Sequence, residues 1–283
     1  MKIKTYYSIY YKHRVEKANF LLKLYLYFVV PFKYLINIPY LKKTINLDTF
    51  SEVNKSLFDK DLNYLFEFFN SDKGESFINQ YDQPSKRDPS VRVEGHNYAK
   101  FYEELFKQIQ QKKINILEIG SFYGNAAAAI YFYLENATIY SADIFPDLFS
   151  YKSKRINNFY VNSSKEKSIQ NSIIDLNKTF EIIIEDASHS YKDQIISLFM
   201  LFPLVNSGGF FITEELDFPD TRDDMNLNKE RPTLREILNF IKSGKDFDNS
   251  LITKQQKNYL IQNFDKISII KGNFNEIAII SKK

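Results

Sequence analysis

Cysteine is absent from the 283-residue chain, which excludes disulfides, thiolate metal sites and cysteine nucleophiles. This absence is compatible with the cytoplasmic location that we expect for the protein. Tryptophan is absent as well, and histidine occurs only at His13, His96 and His189, so each histidine can be weighed individually. With 44% hydrophobic residues, a chain of this length can form one complete α/β domain and additional segments.

Acidic residues are scarce in the first 43 residues, which carry nine Lys or Arg and a single acid, Glu16. The rest of the chain has 29 basic and 34 acidic residues, so a basic arm precedes a mildly acidic body. Surfaces that bind phosphate backbones need clustered basic charge, and the acidic body therefore argues against a nucleic-acid partner. The first residues also lack the pattern of a secretory signal.

An apolar stretch covers residues 20–38 of this arm, but Lys23, Pro31 and Lys33 interrupt it. Its longest uncharged run, residues 24–32, is too short to span a bilayer. Two interpretations stay open. A basic, aromatic-rich helix can lie on the anionic inner surface of a membrane. It can equally pack against its own body or against a partner subunit in a homo-oligomer.

Strand and helix patterns alternate from residue 99 onwards. The predicted strands cover residues 114–119, 138–143, 159–161, 180–184, 210–213, 267–270 and 276–280. A helical pattern that ends at residue 111 precedes the first strand. Further helical patterns cover residues 124–134, 168–176, 194–205 and 232–241. This order predicts an α/β fold with a doubly wound, mostly parallel seven-stranded sheet and an antiparallel C-terminal strand. We therefore divide the chain into a helical N-terminal arm (1–43), a helical and lid segment (44–98) and the sheet domain (99–283).

The first predicted strand leads into a glycine turn at residues 118–124. Gly120 and Gly124, with Ser121 between them, let the backbone approach a ligand closely before a helix begins. Glu118 is an acid inside an otherwise apolar strand, where burial of an ionisable group is costly unless a partner or a ligand compensates it. Because the spacing is not the full dinucleotide fingerprint, a purely structural turn stays an alternative.

The next two predicted strands also end in polar residues. Asp143 ends the second strand, where a carboxylate can accept hydrogen bonds from both hydroxyls of a ribose. A helix cap or turn is its alternative role. Asn162 and Ser163 follow the third strand and can meet an adenine edge. With the glycine turn, these positions favour a nucleoside-containing cofactor over the first three strands.

Acids follow the fourth and fifth predicted strands, which are neighbours in a doubly wound sheet. Asp186 ends the fourth, with His189 three residues later, and Glu214 and Glu215 end the fifth, with Asp217 close behind. Like charges disfavour one another, so a cluster of this kind is costly unless a divalent cation compensates it. Oxygen ligands favour Mg, Ca or Mn. His189 beside such a cation is suited to be a general base, whereas solvated loop acids or helix caps are the alternative.

Residues 114–143, INILEIGSFYGNAAAAIYFYLENATIYSAD, resemble the S-adenosylmethionine-binding segment of class I methyltransferases. More specifically, the chain resembles the metal-dependent sugar O-methyltransferases of macrolide biosynthesis, of the mycinamicin and tylosin type. The segments that carry this resemblance are LEIG, SDKG (71–74), GHNYAKFYEELF (95–106), FEIIIEDASH (180–189) and SGGFFITEEL (207–216). The match covers about residues 70–217 and does not extend to the N-terminal arm.

The resemblance implies roles at matching positions. The metal ligands of the family correspond to Asp186, Glu214 and Glu215, and its base corresponds to His189. The family usually has Asp at the positions of Glu185 and Glu215, and it often has an acid at the position that Ser163 occupies here.

The implied function is S-adenosylmethionine-dependent O-methylation of a sugar or glycoconjugate precursor, as in polysaccharide biosynthesis, with Mg²⁺ as the expected cation. We expect the cofactor to contact seven residues: Glu118, Gly120, Ser121, Gly124, Asp143, Ser163 and Tyr98. The loop at 75–95, with His96 and Tyr98, is expected to close over it. The arm is expected to be dispensable for methylation of a soluble acceptor. Methylation of an amine or of another small hydroxyl compound, and a non-catalytic binding module with the cofactor fold, stay open.

Overall fold

The computed structural model describes residues 1–12, 15, 18–41 and 43–283, so His13 lies outside the described residues. The helices are α1 (Ile3–Tyr10), α2 (Phe20–Asn37), α3 (Leu47–Val53), α4 (Leu62–Phe69), α5 (Ala99–Lys107), α6 (Asn125–Tyr133), α7 (Glu166–Ser172), α8 (Tyr191–Leu201), α9 (Phe218–Thr221), α10 (Leu234–Lys242) and α11 (Lys254–Asn263). Single turns of 3₁₀ helix lie at Ile38–Tyr40, Lys55–Asp59, Pro84–Lys86, Pro146–Leu148, Ile174–Leu176, Phe202–Leu204 and Asp223–Met225.

The strands are β1 (Ile45–Asn46), β2 (Ser76–Phe77), β3 (Val93–Glu94), β4 (Ile114–Ile119), β5 (Ala137–Asp143), β6 (Tyr151–Lys152), β7 (Ile156–Tyr160), β8 (Phe180–Glu185), β9 (Val205–Thr213), β10 (Phe264–Lys271) and β11 (Glu276–Lys282). In the described part of the chain, seven of them form one sheet in the order β10-β11-β9-β8-β4-β5-β7. Strand β11 pairs antiparallel with both of its neighbours, and the strands from β9 to β7 pair parallel. The predicted doubly wound sheet is confirmed.

The central strands have apolar residues on both faces because helices cover the sheet on both sides. In β4, Ile114 and Ile116 belong to the core that α4, α5 and α6 cover, whereas Leu117 and Ile119 belong to the core under α8, α10 and α11. The two apolar layers hold the central strands rigidly, so that residues at their carboxyl ends are well positioned.

Two differences from the prediction have local causes. Strand β9 begins at Val205 and not at residue 210, so Gly208 and Gly209 lie inside the strand. Gly208 has a φ of 73°, and the pairing with β8 shifts register nearby. Helix α11 was not predicted, because it is mostly polar and buries only Leu260.

The arm forms a small helical layer of its own. Tyr6, Tyr10 and Tyr11 from the first part of the arm pack against Leu26 and Val30 of α2. This cluster is separate from the two cores of the sheet. The packing face of α2 therefore points at α1, and its other side is left exposed.

Candidate active site

A cavity of about 270 Å³ opens at the carboxyl ends of β4, β5 and β8, where ligands bind in sheets of this kind. It is lined by six of the predicted site residues: Glu118, Gly120, Ser121, Asp143, Asp186 and His189. The structure thus brings the glycine turn, the acid at the end of β5 and the acid-histidine motif after β8 around one space.

Gly120 is required by the close approach of two strand ends. Its φ is 94°, and a Cβ atom added there would lie 1.9 Å from the backbone oxygen of Asp186. Any other residue would push the glycine turn away from the segment after β8. This contact explains how the cofactor-side turn and the acid cluster share one cavity.

Asp143 is buried at the cavity wall and holds the glycine turn. Its carboxylate accepts hydrogen bonds from the backbone N–H of Phe122 at 2.8 Å and of Phe145 at 2.6 Å. Burial raises the pKa of Asp143, and these two backbone hydrogen bonds oppose the rise. The remaining lone pairs can accept hydrogen bonds from a ligand in the cavity.

Glu118 is also at the cavity wall, with 1% of its surface exposed. Its Oε2 atom has no hydrogen-bond partner among the described residues. Burial raises the pKa of Glu118 to about 8, although the nearby Lys73 ammonium opposes this. Because its Oε2 atom is unpartnered within the part of the chain that the structure describes, Glu118 can form a hydrogen bond with a ligand in the cavity.

Asp186, His189 and Glu215 form a cluster of possible metal ligands. One ligand atom from each lies within 4.8 Å of the others. Nε2 of His189 lies 3.8 Å from Oδ1 of Asp186, and its Nδ1 lies 3.5 Å from Oε2 of Glu215. The other carboxylate oxygen of Glu215, Oε1, lies 3.2 Å from Nε2 of His96. Carboxylate and imidazole donors at these distances fit a divalent cation.

Glu214 faces a different partner, Lys73, which the sequence analysis did not single out. The Lys73 ammonium donates to Glu214 at 2.8 Å and to Asp186 at 2.5 Å, and only 2% of its side-chain surface is exposed. The hydroxyl of Tyr102 also donates to Glu214. The SDKG segment therefore contributes a buried cation to the acid cluster.

The acid cluster has more carboxyl groups than the Lys73 ammonium can balance when all of them are ionised. Burial and mutual repulsion raise the pKa of Asp186 to about 6 and of Glu214 to about 7, and they raise that of Glu215 well above its usual range. If all three carboxylates were ionised, they would exceed the single ammonium by two negative charges, and the raised pKa values show that this state is unfavourable without further positive charge. The charge of one divalent cation would balance these two charges.

His189 is held in a neutral state beside these acids. Although 18% of its side-chain surface is exposed, desolvation lowers the pKa of the imidazole to about 3, and the Lys73 ammonium adds to this effect. A neutral ring can accept a proton. His189 and Glu215 have φ values of 56° and 46°, a conformation that non-glycine residues adopt rarely and that is common at functional sites.

Three predicted cofactor residues do not line the cavity. Gly124 precedes α6 with a φ of 77°. Ser163 Oγ lies 3.4 Å from Asp193. Tyr98 is fully buried, and its ring stacks on His96 at 5.3 Å. Their contacts with a cofactor stay predictions.

The segment before the sheet supplies much of the remaining wall. Gln80 and Tyr81 line the cavity, and Tyr81 stacks on Phe122 of the glycine turn with ring centroids 6.0 Å apart. Residues of the predicted loop 75–95 therefore cover the cofactor side of the cavity, although their ability to open or close stays a prediction.

The N-terminal arm completes this wall, which sequence reasoning missed. Ile9 of α1 lines the cavity. Arg87 donates to the hydroxyl of Tyr10 at 3.0 Å and to that of Tyr123, in the glycine turn, at 2.9 Å. These contacts join the arm to the cavity wall, and its dispensability for methylation of a soluble acceptor stays a prediction. Its side chains act at long range in sequence, so no local pattern could reveal them.

No protein-family model matches the chain. Two curated relatives, both from Streptomyces olivaceus, are 8-demethyl-8-alpha-L-rhamnosyl tetracenomycin-C 2'-O-methyltransferase, at 26% identity over 128 residues, and 8-demethyl-8-(2-methoxy-alpha-L-rhamnosyl)-tetracenomycin-C 3'-O-methyltransferase, at 25%. Each match covers 43% of this chain. The chain spans about a third of the length of these relatives, 33% and 32% respectively.

The solved structures that resemble this chain include the MycE methyltransferase from the mycinamycin biosynthetic pathway in complex with Mg and SAH. The TM-score is 0.59 at 18% identity, over 79% of this chain and 55% of that chain. The same methyltransferase with Mg, SAH and mycinamycin VI gives a TM-score of 0.56 at 18% identity, over 79% of this chain and 54% of that chain. The comparisons confirm the resemblance predicted from the motifs, and the structural likeness shows that the chain has the methyltransferase fold.

Proposed function

We propose that the protein is an S-adenosylmethionine-dependent O-methyltransferase that acts on a hydroxyl of a sugar or glycoconjugate precursor. The observation that carries the proposal is the single cavity that joins the glycine turn and Asp143 on one side to Asp186 and His189 on the other. A cofactor bound by the first group would place its methyl next to an acceptor bound by the second. Positioning of this kind supplies much of the rate of a group transfer.

Asp143, Glu118 and the glycine turn would hold the cofactor. The Asp143 carboxylate would accept the ribose hydroxyls while it keeps its hydrogen bonds from Phe122 and Phe145. Gly120 and Ser121 line the cavity and would lie against the cofactor.

Asp186 and Glu215 would hold the divalent cation, with Mg²⁺ favoured by their oxygen donors. When bound, the cation supplies Lewis-acid stabilisation of the negative charge that develops on the acceptor oxygen. Glu214, the third ligand implied by the family resemblance, would have to exchange the Lys73 ammonium for the cation. The charge balance of the cluster supports a bound cation independently of this exchange.

His189 would take the proton of the acceptor hydroxyl, because its imidazole lines the cavity beside Asp186. The cofactor would supply the methyl group from its sulfonium sulfur, and transfer to the acceptor oxygen would give a methyl ether and S-adenosylhomocysteine. The cluster of carboxylates and imidazole supports a hydroxyl acceptor over an amine, since an amine needs no cation to stabilise an oxyanion.

The sugar acceptor rests on the relatives, whose names specify rhamnosyl 2'- and 3'-hydroxyls. Methylation of other small hydroxyl compounds, and a non-catalytic binding module, are the competing functions. A role in polysaccharide biosynthesis, a cytoplasmic location and a homo-oligomeric state belong to the same proposal.

A methyl-transfer assay tests the function. The protein is incubated with radiolabelled S-adenosylmethionine and a panel of rhamnosides, other hydroxyl compounds and amines, with Mg²⁺ or with EDTA. We expect methyl ethers of sugars, no product in EDTA and recovery when Mg²⁺ or Mn²⁺ is added. Products from amines alone would contradict the proposal, as would turnover unaffected by EDTA.

Asp143→Ala is expected to weaken S-adenosylmethionine binding by about 10- to 100-fold, because it removes a charged acceptor whose hydrogen bonds contribute about 1.5–3 kcal/mol. Calorimetry on the variant and the wild type measures the change. Asp175→Ala is the matched control, since Asp175 is exposed, accepts a hydrogen bond from Gln170 at 2.8 Å and does not line the cavity. Equal affinity of Asp143→Ala and wild type would remove Asp143 from the cofactor site.

A further inference from the structure

The outer side of α2 exposes an unusually large apolar surface. Leu26, Val30 and Asn37 are buried on the inner side of this helix. Six of its large side chains are between 62% and 79% exposed: Phe20, Leu21, Tyr27, Phe28, Phe32 and Ile36. A contiguous exposed patch of this kind marks an interaction surface.

The charge of the arm indicates what covers this patch. Lys2, Lys4, Lys23 and Lys43 are exposed. The sequence of the arm has nine Lys or Arg and one acid, Glu16. A surface that combines apolar aromatic residues with lysines is complementary to anionic lipid. A second copy joined through a two-fold axis would instead bring the two basic arms together, where their charges repel.

A groove between α1 and α2 adds an independent observation. It has a volume of about 330 Å³ and is lined by Ile3, Lys4, Tyr7, Tyr27, Val30 and Pro31. Its walls are mostly apolar, with one ammonium group. This chemistry fits a lipid acyl chain with an anionic headgroup beside it.

The contacts of α2 with the body favour a helix that lies on the membrane. By length and composition, Phe20–Tyr40 is long and apolar enough to cross a bilayer. This corrects the expectation from the uncharged run 24–32, because the helix continues past Lys23 and Lys33. However, the Asn37 amide donates to the hydroxyl of Tyr6 at 3.0 Å and its oxygen accepts from the backbone of Ser85 at 2.8 Å. A membrane-spanning position would break these hydrogen bonds and the packing of Leu26 and Val30.

We propose that the arm docks the protein on the surface of an anionic membrane, with the outer side of α2 in contact with the lipid. Helix α1, which supplies Ile9 to the cavity, lies directly behind α2. Docking therefore holds the cavity one helix layer away from the lipid.

Vesicle flotation tests this proposal without cofactor or acceptor, so its outcome is independent of the proposed function. We expect the full chain to float with phosphatidylcholine vesicles that contain 30% phosphatidylglycerol, and to bind pure phosphatidylcholine at least about tenfold more weakly. The double variant Phe28→Ser/Phe32→Ser should reduce partitioning on the order of 100-fold, since each phenylalanine loses its burial in lipid.

The matched control is Val53→Ser/Leu227→Ser, which changes two side chains that are 82% and 80% exposed on the body. It should bind vesicles as the wild type does. Three outcomes would overturn the proposal. The first is no flotation of the wild type. The second is resistance of the bound protein to alkaline carbonate, which would indicate a spanning helix. The third is an oligomer that the Phe28/Phe32 variant dissociates while flotation is unchanged, which would assign the surface to a second copy.

Discussion

His189→Ala is expected to lower kcat by about 10²–10⁴-fold, the usual contribution of a general base. The imidazole lines the cavity beside Asp186 and is neutral at pH 7, because desolvation lowers its pKa to about 3. Affinity for S-adenosylmethionine should be unchanged, because the glycine turn and Asp143 stay intact. Single-turnover kinetics and calorimetry on the same preparation separate the two effects.

Asp186→Asn should behave differently from His189→Ala. It removes a charged ligand, so the cation and the activity should be lost together. Cation binding, measured by calorimetry with Mn²⁺, distinguishes the two variants without an activity assay. If His189→Ala also loses the cation, the imidazole is a ligand instead of the base, as its place within 4.8 Å of the carboxylates would allow.

His96→Ala is the matched control for His189→Ala. Its imidazole touches Glu215 at 3.2 Å but does not line the cavity. We expect a smaller loss of kcat in His96→Ala, and a higher cation concentration should restore it. No cation concentration should restore the kcat of His189→Ala. Unchanged turnover in His189→Ala would assign the base to another group. Glu185 is poorly suited to replace it, because its carboxyl is fully buried and does not line the cavity.

The parts of the site that could be predicted follow from one property of parallel sheets. Their carboxyl ends meet at the same edge, so residues directly after strands come together whatever their separation in sequence. Asp143, Asp186 and Glu215 were found in this way. The glycine turn was found because Gly120 leaves a local signature, and the structure adds the reason, a close approach to the backbone of Asp186.

The parts that could not be predicted come from outside the sheet. Lys73 contacts Asp186 across 113 residues of sequence. Ile9 reaches the cavity from the arm, for which no family pattern exists. Side-chain direction is the other limit. Ser163 follows a strand as predicted, yet it contacts Asp193 instead of the cavity.

Lys73→Met is expected to destabilise the protein by about 3–5 kcal/mol in the absence of divalent cations. Removal of one partner from a buried ion pair leaves charge uncompensated, and this is the usual size of the effect. Lys73 is the ammonium that contacts both Asp186 and Glu214, and methionine keeps most of its length and apolar stem. Urea denaturation of wild type and variant in EDTA measures the difference.

Lys107→Met provides the matched control for the same substitution at a surface site. Its ammonium is 3.5 Å from Glu103, and 64% of the side chain is exposed. Exposed ion pairs of this kind contribute about 0–1 kcal/mol, so the free energy of unfolding of the control should be close to that of the wild type. An equally small loss of stability in Lys73→Met would mean that the folded state does not need the Lys73 charge to balance the surrounding acids.

Mg²⁺ should narrow the stability gap between Lys73→Met and wild type. A cation that binds only the folded state stabilises it in proportion to its affinity, and the variant offers a more negative cluster of Asp186, Glu214 and Glu215. Glu214, freed from the ammonium, would become available as a ligand. The titration of unfolding free energy against Mg²⁺ should therefore rise more steeply for Lys73→Met than for wild type or Lys107→Met. Parallel titrations for all three proteins would place the cation away from Lys73 and would contradict the proposed cation site.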